Sequence, residues 1–173
     1  MLCPACGFDN IDGVDDCEQC AQPLVEFDPT GGELEESISR HTVDVLCPKT
    51  PLTISPETTA RVAVAEMVDQ RIGCMFVVEG GELVGVFTER DVLLKMSSEL
   101  EELDKPVSDF MTPSPVTISK EDSIAYALHL MDLGGYRHLG IVAADGKPTG
   151  VISIRDILRF LCVRFGEIRA QAS

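Results

Sequence analysis

Two pairs of cysteines stand near the amino terminus, Cys3-Pro-Ala-Cys6 and Cys17-Glu-Gln-Cys20, in the spacing C-x2-C-x10-C-x2-C. Two such pairs let four thiolates converge tetrahedrally on one Zn²⁺ at about 2.3 Å. Gly7, directly after Cys6, suits the tight positive-φ turn of a zinc knuckle, whereas Ala21 stands in the corresponding place after Cys20, where glycine would be easiest. The rival chemistry is thiol redox. A redox C-x-x-C normally follows a strand and opens a helix, but Cys3 is the third residue here, and Asp9-Asn10 and Asp12-Gly13 are turn signals. The spacing therefore predicts a structural zinc with closed coordination, whose binding supplies most of the segment's folding free energy, on the order of 10–16 kcal/mol in zinc-finger peptides. Cys47, Cys74 and Cys162 lack an assignable base, and Cys74 and Cys162 lie in apolar runs that read as small buried hydrophobes.

A second kind of chemistry is duplicated. Gly85-Val-Phe-Thr-Glu-Arg-Asp-Val-Leu93 matches Gly150-Val-Ile-Ser-Ile-Arg-Asp-Ile-Leu158 with a shift of 65, and Thr53-Ile-Ser55 matches Thr117-Ile-Ser119 with a shift of 64. Each copy thus carries a Thr/Ser-x-x-Asp, Thr88 with Asp91 and Ser153 with Asp156, placed where a helix begins. Such a pair is a capping box in its own right, worth about 0.5–2 kcal/mol to any helix. It also sets a carboxylate beside helix N-terminal N–H groups, an arrangement that accepts hydroxyl protons and favours an anion. No P-loop, G-x-S-x-G, H-E-x-x-H or Gly-rich dinucleotide fingerprint occurs, so catalysis is not expected.

The elements that must position these groups repeat as well. Ser55-Pro56-Glu57 and Ser119-Lys-Glu-Asp122 read as helix starts with serine at N-cap, Pro56 at the first helical position and Asp122 closing a capping box. The helices that follow bury Ala60, Ala63, Val64, Met67 and Val68 in the first copy and Ile124, Ala127, Leu128 and Met131 in the second. Apolar runs at 74–78 and 139–142 read as buried strands, turns at 79–82 and 145–148 lead to strands at 83–87 and 149–152, and a last helix begins near Asp91 and near Asp156. The order in each copy is β-α-β-β-α.

This pattern, with Phe110-Met-Thr-Pro-Ser-Pro-Val-Thr117 opening the second copy, resembles a tandem pair of CBS domains, a Bateman module, over roughly residues 42–165. The resemblance implies an α+β sandwich of two repeats related by a pseudo-two-fold, with clefts between them for adenosyl ligands: AMP, ADP, ATP, S-adenosylmethionine or NAD. It implies sensing rather than transformation of the ligand, and a homodimer. It assigns Asp91 and Asp156 to ribose hydroxyls, and Thr88 and Ser153 to ribose or phosphate. Tyr136-Arg137-His138 matches Ile72-Gly73-Cys74, and the family often draws phosphate-binding cations from this position. Arg137 and His138 are therefore the leading candidates, with Arg155 and Arg90 next. Thr53 and Thr117 would offer groups to adenine, with Ile54, Ile118 and Tyr136 as walls. His138 reads equally well as a satisfied strand-edge histidine, and His41 and His129 show no ligand spacing. The amino-terminal cysteines resemble a zinc ribbon of the kind sometimes attached to such modules.

The expected organisation is a zinc ribbon at 1–27, an acidic Pro/Gly linker at 28–41, repeats at 42–104 and 105–165, and a tail at 166–173. With 29 acidic and 14 basic residues the net charge is −15, which disfavours nucleic acids and anionic membranes. The charge is uneven: residues 1–40 carry −9, 41–104 carry −7 and 105–173 carry +1, so an anion site belongs in the last third. No run approaches ~18 apolar residues and no secretion signal opens the chain, so a cytoplasmic location is expected. A regulatory adenosyl-ligand sensor acting on an unidentified partner leads. The alternatives are a ligand-independent dimeric scaffold, whose exposed surface would be Ile157, Leu158, Phe160, Leu161 and Val163, and a redox sensor using the ribbon thiols.

Overall fold

The computed structural model describes residues 2–3, 5–11, 14–22, 24, 33–96 and 100–171. It is a mixed α+β architecture in which β-α-β-β-α occurs twice. The first copy comprises β1 (Thr53–Ile54), α2 (Ala60–Gln70), β2 (Cys74–Glu79), β3 (Glu82–Thr88) and α3 (Glu89–Lys95). The second comprises β5 (Thr117–Ile118), α4 (Ile124–Gly134), β6 (His138–Val142), β7 (Pro148–Ser153) and α5 (Ile154–Gln171). Further elements are α1 (Glu33–Arg40), β4 (Thr112–Pro113) and short 3-10 turns at Val43–Leu46, Leu100–Asp104 and Val107–Asp109. Of the span read as linker, 28–32 lie outside the described residues, while 33–40 are this helix. The Asp12-Gly13 turn signal also lies outside them.

The sheets run β1-β2-β3-β4 and β5-β6-β7. In the first, β1 lies parallel to β2 with Thr53 opposite Phe76, as a helical crossover requires. A hairpin through Gly80 and Gly81, at φ of +60° and +93°, joins β2 to antiparallel β3. The sequence pattern did not anticipate β4, which pairs with β3 so that Pro113 faces Gly85. A proline is tolerated there because β4 is the edge strand.

Two compact units emerge from the contacts, Met1–Pro48 with Ile118–Leu139 and Ile152–Ser173, and Lys49–Thr117 with Gly140–Val151. In the latter, Ala60, Ala63 and Met67 of α2 pack on Met75, Val77 and Phe87 of the sheet and on Val107 and Phe110. Val64 is partly buried against this cluster, but Val68, expected inside, is 72% exposed. It lies in the last turn, close to where Arg71 in the left-handed region ends α2. In the former unit, Ile124, Ala127 and Met131 of α4 are buried with Leu139, Ile152 and Ile157, and α1 packs against both α4 and α5.

The helix starts differ from expectation in a consistent way. Ser55 and Ser119 close turns, accepting from the N–H of Thr58 at 3.0 Å and of Asp122 at 3.2 Å through their carbonyls. The N-caps are Thr59 and Ser123, whose hydroxyls accept from Val62 and Tyr126. The first helical N–H groups, of Ala60 and Ile124, donate to the carbonyls of Lys105 and His41 at 2.9 Å each. These long-range bonds hold the preceding residues extended, and local Ser-x-x-Asp patterns cannot reveal them. Pro56 accordingly sits in the turn. At the other end of each copy, α3 and α5 start two residues before their aspartates, which places Asp91 at N3 of a complete capping box. α5 runs on to Gln171, through the described part of the span read as a tail.

Candidate functional site

The four amino-terminal cysteines come together: their Sγ atoms all lie within 4.8 Å of one another. Cys3 and Cys20 approach to 3.6 Å and Cys6 and Cys17 to 3.7 Å. Sulfurs at about 2.3 Å from a tetrahedral centre stand about 3.8 Å apart, so the donor set fits one tetrahedral metal ion. The two knuckles are built alike. Gly7 N–H donates to the Cys3 carbonyl and Ala21 N–H to the Cys17 carbonyl, at 2.9 Å each, with φ of +73° and +55°. Ala21 therefore adopts the left-handed turn despite its Cβ. Burial pushes the Cys6 and Cys20 thiols up. At Cys17 burial acts in the same sense, but the backbone N–H groups of Cys20 and Gln19 and the Asn10 amide outweigh it and bring the thiol down to about 6. Asn10, buried and read from sequence only as a turn residue, donates to Cys17 Sγ at 3.5 Å and to the Phe8 carbonyl at 3.0 Å, and accepts from Glu18 N–H at 2.9 Å.

The cysteine loops rest on α4. Ser123 Oγ donates to the Ala5 carbonyl at 2.9 Å, His129 Nε2 lies 3.0 Å from the Cys20 carbonyl, and Tyr126 packs on the cluster between them. Burial, then the Asp122, Cys20 and Cys6 charges, holds the Tyr126 phenol above its ordinary range. His129, which shows no ligand spacing, is thus the loop's anchor. His41 stacks edge-on against Phe160 of α5 at 5.4 Å and bonds the Ser37 carbonyl at 2.7 Å.

The Thr/Ser-x-x-Asp pairs form as capping geometry in both copies. Thr88 N–H and Oγ1–H donate to Asp91 Oδ2 at 2.9 and 2.6 Å, and Asp91 N–H donates to Thr88 Oγ1 at 3.2 Å. Asp91 Oδ1 accepts from Thr112 Oγ1 at 3.2 Å and pairs with Lys95 Nζ at 2.7 Å. Lys95 in turn donates to the carbonyls of Phe110 and Met111 at 2.8 and 3.1 Å. In the second copy Ser153 N–H and Oγ–H donate to Asp156 Oδ2 at 2.9 and 2.6 Å, while Arg159 approaches Oδ1 at 3.5 Å. The Asp91 side chain is 7% exposed and that of Asp156 14%, beside an Arg159 that is 74% exposed.

Thr53, Ile54, Thr88, Arg90, Asp91 and Thr117 belong to the unit built on the first sheet; Ile118, Tyr136, Arg137, His138, Ser153, Arg155 and Asp156 belong to the other. In the latter, Ile154 N–H donates to the Arg137 carbonyl at 3.0 Å, which ties the start of α5 to the approach to β6. The same bond joins Glu89 N–H to the Gly73 carbonyl at 3.1 Å in the first copy. Arg90, Arg137 and Arg155 are exposed, His138 is half-buried and Ile118 is buried. The Tyr136 ring lies over Gly134, where any Cβ would overlap it.

The chain matches the family model for the CBS domain twice, over residues 43–98 and 107–163, well over half its length. It belongs to the CBS domain family. An uncharacterized 17.7 kDa protein of Acidianus ambivalens is 33% identical to this chain over 109 residues, covering 62% of this chain and 65% of that protein. A crystal structure of a CBS-domain-containing protein from Agrobacterium tumefaciens superposes with a TM-score of 0.63 at 26% identity, covering 69% of this chain and 98% of that one. A CBS domain protein from Pyrobaculum aerophilum, complexed with AMP, superposes with a TM-score of 0.60 at 25% identity, covering 71% and 99%. Among the described residues no helix is long and apolar enough to cross a membrane.

Proposed function

We propose that this CBS pair is a regulatory sensor of an adenosyl ligand, with a Zn²⁺ ion held by Cys3, Cys6, Cys17 and Cys20 as a structural clamp for the amino-terminal loops. The observation that carries the ligand reading is the Ser153–Asp156 turn. It presents a largely buried carboxylate, 14% exposed, at the start of an 18-residue helix, adjacent in sequence to exposed Arg155, with Arg137 bonded through its carbonyl to the same helix start. A carboxylate accepts a ribose diol, and an arginine grips a phosphate bidentately. His138 adds charge to the same locus when protonated. The AMP held by the Pyrobaculum aerophilum relative supports the adenosyl class.

Sensing requires that the ligand bind one arrangement of the protein better than another, since equal affinity shifts nothing. Four thiolates leave the metal no open position, so it serves to cross-link the loops rather than to react. Isothermal titration of the full, zinc-loaded chain with AMP, ADP, ATP, NAD and S-adenosylmethionine tests the reading. Saturable binding of at least one of them, weakened tenfold or more by Asp156→Ala, is the expected result, and failure of all five to bind overturns it.

A dimeric scaffold that works without ligand is the second reading, favoured by exposed apolar side chains along α5. Leu158, Val163 and Phe165 there are 53%, 56% and 52% exposed, although Ile157, expected among them, is fully buried. Cys162, expected buried, is exposed on the same helix. Light scattering decides: a dimer indifferent to all five ligands favours the scaffold.

A further inference from the structure

The corresponding helices of the two copies bury the same side and differ on the other. α2 and α4 align at a shift of 64, and both turn the same three positions inward: Ala60, Ala63 and Met67 in the first, Ile124, Ala127 and Met131 in the second. Three other positions of α4 seat the amino-terminal segment. Ser123 reaches the Ala5 carbonyl, His129 the Cys20 carbonyl, and Tyr126 packs on the cysteine cluster, while α1 lies against the same helix. The equivalent positions of α2 are Thr59, Val62 and Ala65. Val62 is 56% exposed and Ala65 is exposed. Neither side chain has a donor to offer a loop carbonyl, so the two helices are not interchangeable seats for the cysteine loops.

What stays exposed on the first repeat is apolar and extends over two helices. Val64 of α2 and Val92 of α3 pack on one cluster with Met75, Val77 and Phe87, so both helices lie on the same face of the first sheet. Turned away from that cluster are Val62, Val68, Leu93 and Leu94, the last three 72%, 80% and 76% exposed. A single exposed leucine is ordinary, but four large apolar side chains on one helical layer mark an interaction surface. The charge of this layer points to the occupant. Residues 41–104 carry twelve acidic and five basic side chains, yet α2 with its cap Arg71, taken together with α3, carries four of each, the basic ones being Arg61, Arg71, Arg90 and Lys95. A two-fold contact sets a patch against its own copy, so a patch of one sign repels itself, whereas a balanced one can pair opposite charges across the axis. In a chain of net charge −15 this layer is suited to meet a second copy of itself. α5 is less suited, because its four arginines face only two acidic side chains.

We propose that two copies of this chain pair about a two-fold axis through α2 and α3 of the first repeat, and that the equivalent helix of the second repeat, α4, takes no part because the chain's own cysteine loops and α1 occupy it. The contact is independent of which small molecule the protein binds. Sedimentation equilibrium of the full, zinc-loaded chain at micromolar concentration tests it. Twice the mass of one chain is expected, falling to that of one chain in Val62→Glu combined with Leu94→Glu. Both positions face solvent in the single chain, so this variant should keep its fold, which circular dichroism checks. Leu158→Glu combined with Phe165→Glu on α5 is expected to remain a dimer. A single-chain mass in the unmodified protein would give the exposed layer to some other occupant and overturn the proposal. Persistence of the dimer in the folded α2/α3 variant, or its loss in the folded α5 variant, overturns it equally. Should either variant unfold, hydrogen exchange of the unmodified protein decides: on dilution from dimer to single chain, 60–71 and 89–95 should lose protection while α4 does not, and the reverse pattern or no change in 60–71 and 89–95 refutes the assignment.

Discussion

Thr88 illustrates how one hydroxyl can serve two masters: it accepts from Asp91 N–H to cap α3 and donates to the Asp91 carboxylate. Thr88→Ala removes both bonds and leaves a nearly buried carboxylate less satisfied, so a loss of about 1–2 kcal/mol is expected as a lowered denaturant midpoint with unchanged slope. Thr88→Ser should recover most of it. The cysteines outside the four-cysteine cluster separate by environment. Cys47 and Cys162 are exposed, whereas burial pushes the Cys74 thiol up to about 12, so at pH 8 it is almost wholly protonated as well as inaccessible. Mass spectrometry after brief alkylation of the native zinc-loaded protein should find Cys47 and Cys162 modified and Cys74 modified only in denaturant; rapid native labelling of Cys74 would contradict its placement. Spacing alone identified the four metal-fitting cysteines, because C-x2-C knuckles are local. It could not identify Asn10 or His129 as their supports. The first differs from any turn asparagine only by burial, and the second reaches Cys20 across 109 residues of chain.

Among the elements, α4 carries the most consequence, since Ser123, Tyr126 and His129 on one of its faces seat the cysteine loops. Stripping the metal with a chelator is expected to lower the melting temperature and remove hydrogen-exchange protection over the described part of residues 2–24. His129→Ala should reproduce a fraction of this, about 1 kcal/mol, with one metal per chain retained; full metal loss on that substitution would show that the histidine does more than anchor. Strand β6 has a tighter constraint at Gly140, where a Cβ would stand 3.0 Å from the Phe76 ring and 3.3 Å from Leu83. Gly140→Val should cost about 1–3 kcal/mol in thermal or chemical denaturation by overpacking. Both β-α-β-β-α copies were readable because apolar runs and turn residues are local signals that occur in order twice. α1 was missed although its signal was present: Leu34, Ser37, Ile38 and His41 recur at helical spacing and lie on its less exposed side. Pro29, Gly31 and Gly32 just before it drew attention to a linker instead.

At the scale of the whole molecule, ligand binding should appear as stability. A ligand bound only by the folded state at 100 times its Kd adds about 2.7 kcal/mol, so AMP or whichever adenosyl compound binds should raise the melting temperature in a concentration-dependent way, and a tenfold or greater weakening in Asp156→Asn should cut the rise to about half or less. The net charge of −15 excludes neither outcome, because the excess is concentrated in residues 1–104 and the rest carries +1. What the amino-acid sequence determined by itself is whatever depends on near neighbours along the chain: the duplicated order of elements, the knuckle spacing, the Thr/Ser-x-x-Asp turns, and the family. Only the tertiary structure decided how far the copies differ. Whether a carboxylate is engaged depends on which donors reach it, and Thr112 comes to Asp91 from 21 residues away through the pairing of β4 with β3. Two motifs that look alike as strings thus stand in unlike surroundings, because hydrogen bonds are satisfied in space rather than along the chain.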